Sequence, residues 1–205
     1  MIRIKAVCPY SFGANTYLLI SGSHALAVDP AVSVDACLSA LAEEDATLDG
    51  ILLTHGHYDH TIALDTLRRA TAAPAYIHES DAIMLTDGKK NAYFDFFGKE
   101  CVHGAAEQLL SDGDTLRLGE DTITVIHTPG HTGGSVCFHC GSFLVTGDTL
   151  FAESIGRCDL WSGDEWQMRE SLKKLRALPR NIDIYCGHGA PAKLGNALDN
   201  AAFYL

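Results

Sequence analysis

The sequence predicts an α/β fold in which two β-sheets pack face to face and helices cover their outer sides. Three observations lead to this prediction. Short apolar segments separated by Gly, Ser and Asn turns are typical of strands. Longer segments with apolar residues at helical spacing are typical of amphipathic helices. Strands precede helices twice along the chain, and each sheet must bury a face against another layer.

The first half of the chain predicts a group of strands and two helices. The segments IRIKAV, NTYLLI and ALAVD indicate three successive strands. A helix is expected in SVDACLSALAEE, where Ser33 can cap the free backbone N–H groups of the first turn. The continuous apolar segment GILLT predicts a strand buried on both faces. A helix in ALDTLRRATA, which ends before Pro74, and a strand in PAYIHE follow it.

The second half repeats this arrangement. Four strands are predicted in DTITVIHT, SVCFHC, FLVTG and IDIYCG, and DEWQMRESLKKLRAL predicts an amphipathic helix. Residues 86–104 interrupt the pattern and contain several aromatic side chains, which either cap the core or form a pocket wall. Because no linker or repeat is visible, residues 1–205 are expected to form a single domain.

The composition disfavours several classes of protein. Hydrophobic residues make up 47% and charged residues 20%, which is ordinary for a globular protein. No apolar segment approaches the roughly 18–20 residues of a membrane span. The net charge of −11 argues against a nucleic-acid-binding protein. Seven cysteines without an export signal predict reduced thiols in the cytoplasm, with Cys137 and Cys140 as small buried hydrophobes.

A dense cluster of histidines follows the GILLT strand in the segment ILLTHGHYDHTIAL. Side chains two residues apart in an extended segment point the same way, so His55 and His57 can hold one metal ion from one side. Gly56 allows the backbone to turn between them. Asp59 and His60 begin a helix, point elsewhere and can reach a second metal ion. Neutral imidazoles and carboxylates suit zinc, iron or manganese.

Two metal ions need further ligands, and the ends of three other predicted strands supply candidates. These are His131, Asp148 and His188, each of which lies beside a glycine that allows the backbone to approach a metal closely. A carboxylate can bridge two cations, and Asp148 is the expected bridge. Because candidate ligands occur at the ends of four predicted strands, we expect them to form one shared metal site. The remaining histidines are expected to be hydrogen-bonded surface residues: His24, His78, His103, His127 and His139.

The motifs HxHxDH, HTPGHTGGS, TGDTLF, IGRCDL and GHG, in this order, resemble the metallo-β-lactamase superfamily. Within it, the sequence is similar to the short bacterial branch of glyoxalase II-like hydroxyacylglutathione hydrolases, down to its ending NAAFYL. The resemblance implies an αββα sandwich of two mixed sheets with a dinuclear metal site at one edge. It also implies that Asp29 matches a family aspartate that braces the metal loop without binding metal.

The resemblance assigns the candidate ligands to two metal ions. The first ion is expected to be held by His55, His57 and His131. The second is expected to be held by Asp59, His60 and His188. Asp148 is expected to bridge them. Zinc is favoured for both positions, with iron or manganese as alternatives.

Arg157 matches a basic residue of the family and is expected to bind a carboxylate of the substrate's thiol portion through a bidentate pair. The alternative is a salt bridge to Asp159, which replaces a glutathione-contacting tyrosine of the family. The chain is also expected to lack the C-terminal helical domain of full-length glyoxalase II. Glutathione is therefore not a required carrier.

The ligand set predicts metal-dependent hydrolysis of a small acyl thioester. Two cations that share a water lower its pKa toward about 7, and the resulting hydroxide, oriented by Asp59, attacks the carbonyl carbon. A thiolate leaves without a general acid because its thiol pKa is near about 8.5, whereas an amine needs one. A small molecule is the expected partner, and neither nucleic acid nor a membrane is.

Other activities stay open on the same scaffold. One is a persulfide dioxygenase with a single iron held by His55, His131 and Asp148. Another is a lactonase that uses the dinuclear site. A metal-bound module without turnover is disfavoured, because a full set of candidate ligands lies beside a predicted pocket.

Overall fold

The computed structural model describes residues 1–8 and 13–204 and contains the two predicted mixed sheets. The first sheet has six strands in sequential order. The first three strands pair antiparallel, and the third to sixth pair parallel. The strands are β1 (Arg3–Val7), β2 (Thr16–Ser21), β3 (His24–Val28), β4 (Thr47–Leu52), β5 (Ala75–His78) and β6 (Gln108–Leu110).

The second sheet also has six strands, and it contains one parallel pair. Its strands are β7 (Thr115–Leu118), β8 (Asp121–His127), β9 (Val136–His139), β10 (Phe143–Gly147), β11 (Asp183–Cys186) and β12 (Ala192–Lys193). They lie in the order β12-β11-β10-β9-β8-β7. β10 and β11 are parallel, and the other neighbours are antiparallel.

The helices lie between the strands and after them. They are α1 (Val34–Glu43), α2 (Tyr58–Thr61), α3 (Leu64–Thr71), α4 (Ala82–Thr86), α5 (Tyr93–Phe97), α6 (Glu165–Leu175) and α7 (Leu194–Asn200). Ser33 caps α1 as predicted, because its hydroxyl oxygen accepts a hydrogen bond from the Ala36 amide at 3.3 Å. Every helix within residues 1–8 and 13–204 is too short or too polar to serve as a membrane span.

Alternate side chains along β2 pack in two different parts of the core, one beneath the helices and one between the sheets. Leu18 and Ile20 point outward and pack in one buried cluster with residues of α1 and α3. Leu19, on the other face, packs in the cluster between the sheets with Phe138 of β9. The outer face of the second sheet packs against α6 and α7, for example through Leu172. The predicted sandwich with helices outside is confirmed.

The structure contains several short elements that the sequence did not predict. β6, β7 and β12 have two to four residues, and α4 has five. The three strands are also mostly exposed or half-buried, so they lack the continuous apolar segment that marks β5, β9 and β11, which have four residues each. Residues 86–104, predicted as irregular, contain the short helix α5, none of whose residues is buried. The final residue of the NAAFYL motif, Leu205, lies outside the described residues.

Candidate metal centre

The two sheets meet at the edge where β4 ends. The carbonyl oxygen of Thr54, two residues beyond β4, accepts a hydrogen bond from the Val136 amide of β9 at 2.8 Å. The histidine-rich segment starts at the next residue, His55. The loops that follow β8, β10 and β11 reach the same edge, so the seven candidate ligands from four strand ends form one cluster.

Three buried imidazoles converge in the first group of candidate ligands. The Nε2 atoms of His55 and His131 are 3.2 Å apart. The Nδ1 atom of His57 is 2.8 Å from Nε2 of His131. The three nitrogens therefore surround one point, an arrangement that suits a shared cation.

A second group forms beside the first from Asp59, His60 and His188. Oδ2 of Asp59 is 3.2 Å from Nε2 of His188 and 4.0 Å from Nε2 of His60. Asp59 and His60 lie on the short helix α2, which redirects their side chains away from those of the preceding histidines.

Asp148 lies between the two groups. Its Oδ1 atom is 3.3 Å from Nε2 of His60, and its Oδ2 atom is 3.6 Å from Nε2 of His131 and 3.5 Å from Nε2 of His188. Oδ1 of Asp148 and Nε2 of His60 are buried, and neither makes a hydrogen bond. Buried polar atoms without partners cost free energy, and a divalent cation between them would remove that cost. The residues present fit a metal site.

Asp29 braces this cluster from the end of β3, as the resemblance implied. Its Oδ1 atom accepts from the Thr54 amide at 2.8 Å, and its Oδ2 atom accepts from the Thr54 hydroxyl at 2.7 Å. Oδ2 also lies 2.9 Å from Nδ1 of His60. This contact orients the imidazole so that Nε2 faces Asp148.

Asp81 is a supporting residue that the sequence analysis missed. This fully buried carboxylate accepts from the Gly56 amide at 3.1 Å, between the first two histidines. It also accepts from the Thr132 hydroxyl at 2.6 Å and the Gly134 amide at 2.7 Å, just after His131. Asp81 therefore joins the two loops that carry the first group. A lone Asp in the segment HESDAIM gives no local signal of that role.

Asn15 is a second missed residue, and it fixes the loop of His188. Its amide nitrogen donates to the carbonyl oxygens of Cys186 and Gly189 at 3.0 and 2.9 Å. The Tyr17 hydroxyl donates to the same Cys186 carbonyl at 2.8 Å. These bonds tie the first sheet to the loop after β11.

The electrostatics divide the histidines into two kinds. Burial lowers the pKa of His57 to about 3, and burial together with the neighbouring imidazoles lowers the pKa of His55 well below its ordinary value. Burial also lowers the pKa of His60, but the carboxylates of Asp148 and Asp29 outweigh it and hold that pKa well above its ordinary value. The hydrogen bond to Asp59 raises the pKa of His188.

A pocket of about 340 Å³ opens onto both groups of ligands. Its walls include five of the candidate ligands together with Tyr58, Ala92, Phe96, Phe151, Gly156, Arg157 and Leu160. Phe96 belongs to α5, within residues 86–104. Of the two alternatives for the aromatic residues of this segment, a core cap or a pocket wall, the pocket wall describes Phe96. α5 packs on Tyr58, whose ring centroid lies 5.2 Å from that of Tyr93 and 5.6 Å from that of Phe97.

Arg157 occupies the pocket wall and also forms the salt bridge that the sequence left as an alternative. Its Nε and Nη2 atoms donate to the two carboxylate oxygens of Asp159 at 2.6 and 2.8 Å. The Arg157 carbonyl oxygen lies 2.7 Å from Nδ1 of His131, which orients that imidazole.

The other histidines and the CxxC pair lie away from this cluster. The expectation of a surface position is wrong for His78, which is buried and stacks on His127 with ring centroids 3.9 Å apart. It ends β5, where the second sheet covers the strand. Cys137 and Cys140 are buried as expected, and burial raises the pKa of their thiols to about 11 and 12.

A two-sheet sandwich with buried histidine and aspartate groups at one edge is an arrangement suited to binding metal ions. The sequence profile of the metallo-beta-lactamase superfamily matches residues 10–188. A probable metallo-hydrolase of Bacillus subtilis, YqgX, is 34% identical over 179 residues, which cover 86% of this chain and 85% of that protein. The chain belongs to the metallo-β-lactamase superfamily.

Two solved structures agree with this assignment. The crystal structure of the B3 metallo-β-lactamase BLEG-1 is similar to this chain with a TM-score of 0.91 and 32% identity, covering 98% of this chain and 99% of that chain. A di-iron-bound form of TTHA1623 is similar with a TM-score of 0.84 and 30% identity, over the same shares of the two chains. The glyoxalase II-like branch stays a prediction.

Proposed function

We propose that this protein hydrolyses a small acyl thioester and uses two divalent cations held by the seven clustered side chains. Bound cations of this kind supply an activated water and polarise the substrate carbonyl. His55, His57 and His131 would hold one cation, and Asp59, His60 and His188 would hold the other. Asp148 would be shared between them, since its two oxygens face both groups.

The choice of a thioester rests on the pKa values of the titratable side chains that line the pocket beside the candidate ligands. Apart from the candidate ligands, Tyr58 and Arg157 are the titratable side chains among the described residues that line the pocket. Burial raises the pKa of Tyr58, and the hydrogen bond to Asp159 raises the pKa of Arg157. With pKa values this far above neutrality, both side chains are poor general acids near pH 7, which favours a leaving group that can depart as an anion. A thiolate does so readily, and an amine does not.

Asp59 is the proposed catalytic residue. It lines the pocket, and its Oδ2 atom is held 3.2 Å from Nε2 of His188. Burial raises its pKa, but the hydrogen bond from His188 and the nearby imidazoles outweigh burial and keep the carboxyl ionised. A carboxylate in this position can accept a proton from the attacking water and orient it toward the carbonyl carbon.

Zinc is the proposed metal, because imidazole and carboxylate ligands suit it. Iron is the first alternative, since the structurally similar TTHA1623 has a di-iron-bound form. Elemental analysis of the purified, metal-saturated protein is expected to give about two metal ions per chain. A single tight site would contradict the dinuclear assignment.

The test of function is a hydrolysis panel with the wild type and Asp59→Asn. The panel contains lactoylglutathione, the same acyl group on a smaller thiol, a lactone, and a β-lactam because BLEG-1 is a B3 metallo-β-lactamase. We expect thioester hydrolysis, with kcat lowered roughly 100-fold or more in Asp59→Asn at equal metal content. Turnover of the lactone or the β-lactam without either thioester would contradict the proposal. Oxygen consumption with a persulfide would identify the dioxygenase alternative.

A further inference from the structure

The outer edge of the pocket is formed by an aromatic ring and a guanidinium group. Phe96 lines the pocket, yet 54% of its surface is exposed. The guanidinium carbon of Arg157 lies 6.0 Å from the centre of this ring. An apolar ring left uncovered beside a reaction centre marks a place where a ligand can bury apolar surface.

The charge of Arg157 is already compensated. Asp159 takes two of its nitrogens in a bidentate pair, which is the geometry that a substrate carboxylate would otherwise use. The hydrogen bond from Arg157 lowers the pKa of Asp159 to about 2, so this partner stays ionised throughout the neutral range. One terminal nitrogen, Nη1, makes no bond to Asp159 and can donate to an uncharged acceptor.

The neighbouring side chains do not replace the positive charge of Arg157 that Asp159 neutralises. Within the described part of the chain, Arg157 is the one Lys or Arg that lines this pocket. Lys90 lies nearby, over the ring of Trp161, and its ammonium group is 3.2 Å from the carboxylate of Asp87. The whole chain carries a net charge of −11, which disfavours the approach of an anion.

We propose that the part of the substrate lying along the Phe96–Arg157 edge is uncharged and apolar, and that Asp159 sets this preference by occupying the guanidinium of Arg157. The inference rests on the proposed thioester hydrolysis for its choice of ligands. It assigns Phe96 the apolar contact and Asp159 the exclusion of carboxylates. It leaves Arg157 in contact with the substrate, but with a neutral group instead of an anion.

The test measures binding, so that it does not depend on turnover. Three 2-oxopropyl thioethers mimic the thioester with a methylene between the carbonyl and the sulfur, which blocks hydrolysis. They differ only at the end of the thiol portion, which is a propionate, a propionamide or a butyl group. Calorimetry with the metal-loaded wild type is expected to show the propionamide and butyl ligands binding about tenfold tighter than the propionate.

Two variants and a matched control identify the responsible residues. Asp159→Asn is expected to tighten binding of the propionate about tenfold relative to the propionamide, because the guanidinium becomes available. This gain should vanish in the double variant Arg157→Ala/Asp159→Asn. Asp199→Asn removes the same charge from a comparable Arg–Asp pair, where Arg180 donates at 2.7 Å, outside the residues that line the pocket. It should leave the ratio of the two affinities unchanged.

Phe96→Ala tests the apolar contact separately. It should weaken binding of the butyl ligand several-fold more than binding of the propionate, because the lost contact is apolar. The inference is overturned if the propionate binds the wild type as tightly as the other ligands. It is also overturned if Asp159→Asn and Asp199→Asn give the same affinity ratio. If the predicted binding order holds but no thioester is hydrolysed, the proposed function fails and this inference stands.

Discussion

At the scale of single residues, Asp81 shows how a buried carboxylate outside the cluster of candidate ligands can connect the loops that carry them. Its three hydrogen bonds connect the backbone beside His55 and His57 to the loop after His131. Burial raises its pKa to about 6, although the three donors lower it. A Cβ atom on Gly134 would lie 2.6 Å from the Asp81 carboxyl carbon, so the loop approaches this side chain as closely as a glycine allows.

Asp81→Ala is therefore expected to lower the free energy of unfolding by about 2–4 kcal/mol, because three buried donors lose their acceptor. Urea unfolding of the metal-free protein measures this. The same variant should weaken the first metal site, since the loops that carry its ligands lose their connection. Asp114→Ala is the control, because Asp114 accepts a single bond from the Ser111 amide on an exposed turn. Equal losses in both variants would contradict the supporting role of Asp81.

A second prediction at this scale concerns the pH dependence of metal binding. His60 has a raised pKa in the metal-free protein, so below that pKa its proton must leave when a cation binds. The affinity of the second site should therefore rise as the pH increases from about 6 to about 8. The first site should change little over this range, because His57 has a pKa of about 3 and His55 a pKa well below normal.

Calorimetric titration with zinc in two buffers of different ionisation enthalpy measures the protons released at each site. Release of about one proton or more with the second cation, and close to none with the first, is the expected result. The same number of protons released at both sites would show that the environments of the imidazoles do not differ in this way.

At the scale of secondary-structure elements, the sequence predicts the apolar strands, even the four-residue β5, β9 and β11, and the longer helices, and it misses several shorter elements. β2 and α6 have enough residues for a clear pattern of apolar positions. β7 has four residues, only one of them buried, so it has no pattern to detect. The helix α5 is flanked by two residues with left-handed backbone, Ala92 and Gly98, and nothing in the sequence predicts that conformation for an alanine.

The end of β10 shows how one glycine brings two elements together at the site. Gly147 has a φ of +49°, and a Cβ atom there would lie 2.5 Å from the hydroxyl oxygen of Thr54. That hydroxyl also donates to Asp29, which braces His60. The strand that carries Asp148 can therefore approach the end of β4 only because this position has no side chain.

Gly147→Ala is expected to lower the free energy of unfolding by about 3 kcal/mol or more, since a steric overlap adds to the cost of a left-handed alanine. It should also weaken both metal sites by displacing Asp148. The control is Gly141→Ala, where φ is +75° but no atom lies within 4 Å of the added Cβ. That variant should lose only about 1–2 kcal/mol, the cost of the backbone conformation. Thermal or urea unfolding of the two variants separates the cost of the steric overlap from the cost of the backbone conformation. Similar losses of stability in both variants would argue against a close approach of Gly147 to Thr54.

At the scale of the whole molecule, the candidate site joins the two sheets. His55, His57, Asp59 and His60 follow β4 of the first sheet, whereas His131, Asp148 and His188 follow strands of the second. Local sequence predicted these side chains because each follows an apolar strand within a distinctive motif. It could not predict Asp81 or Asn15, because their roles exist only once distant loops meet. The Asn15 side chain, for example, bonds carbonyl groups more than 170 positions away along the chain.

Because each group of ligands combines residues from both sheets, cations bound there stabilise the sandwich as a whole. A ligand that binds only the folded state at roughly 1,000 times its dissociation constant adds about 4 kcal/mol. In a chain of this size, each kcal/mol shifts the Tm by about 2–4 °C. Two such cations together add about 8 kcal/mol, so chelation of both should lower the Tm by roughly 16–32 °C. His188→Ala leaves the first group intact, so it should keep part of this stabilisation, whereas the double variant His55→Ala/Asp148→Ala should lose all of it. Scanning calorimetry with and without chelator measures the shifts, and the double variant shows whether the chelator itself has an effect. An unchanged Tm after verified removal of the metal would mean that the cations do not hold the two sheets together.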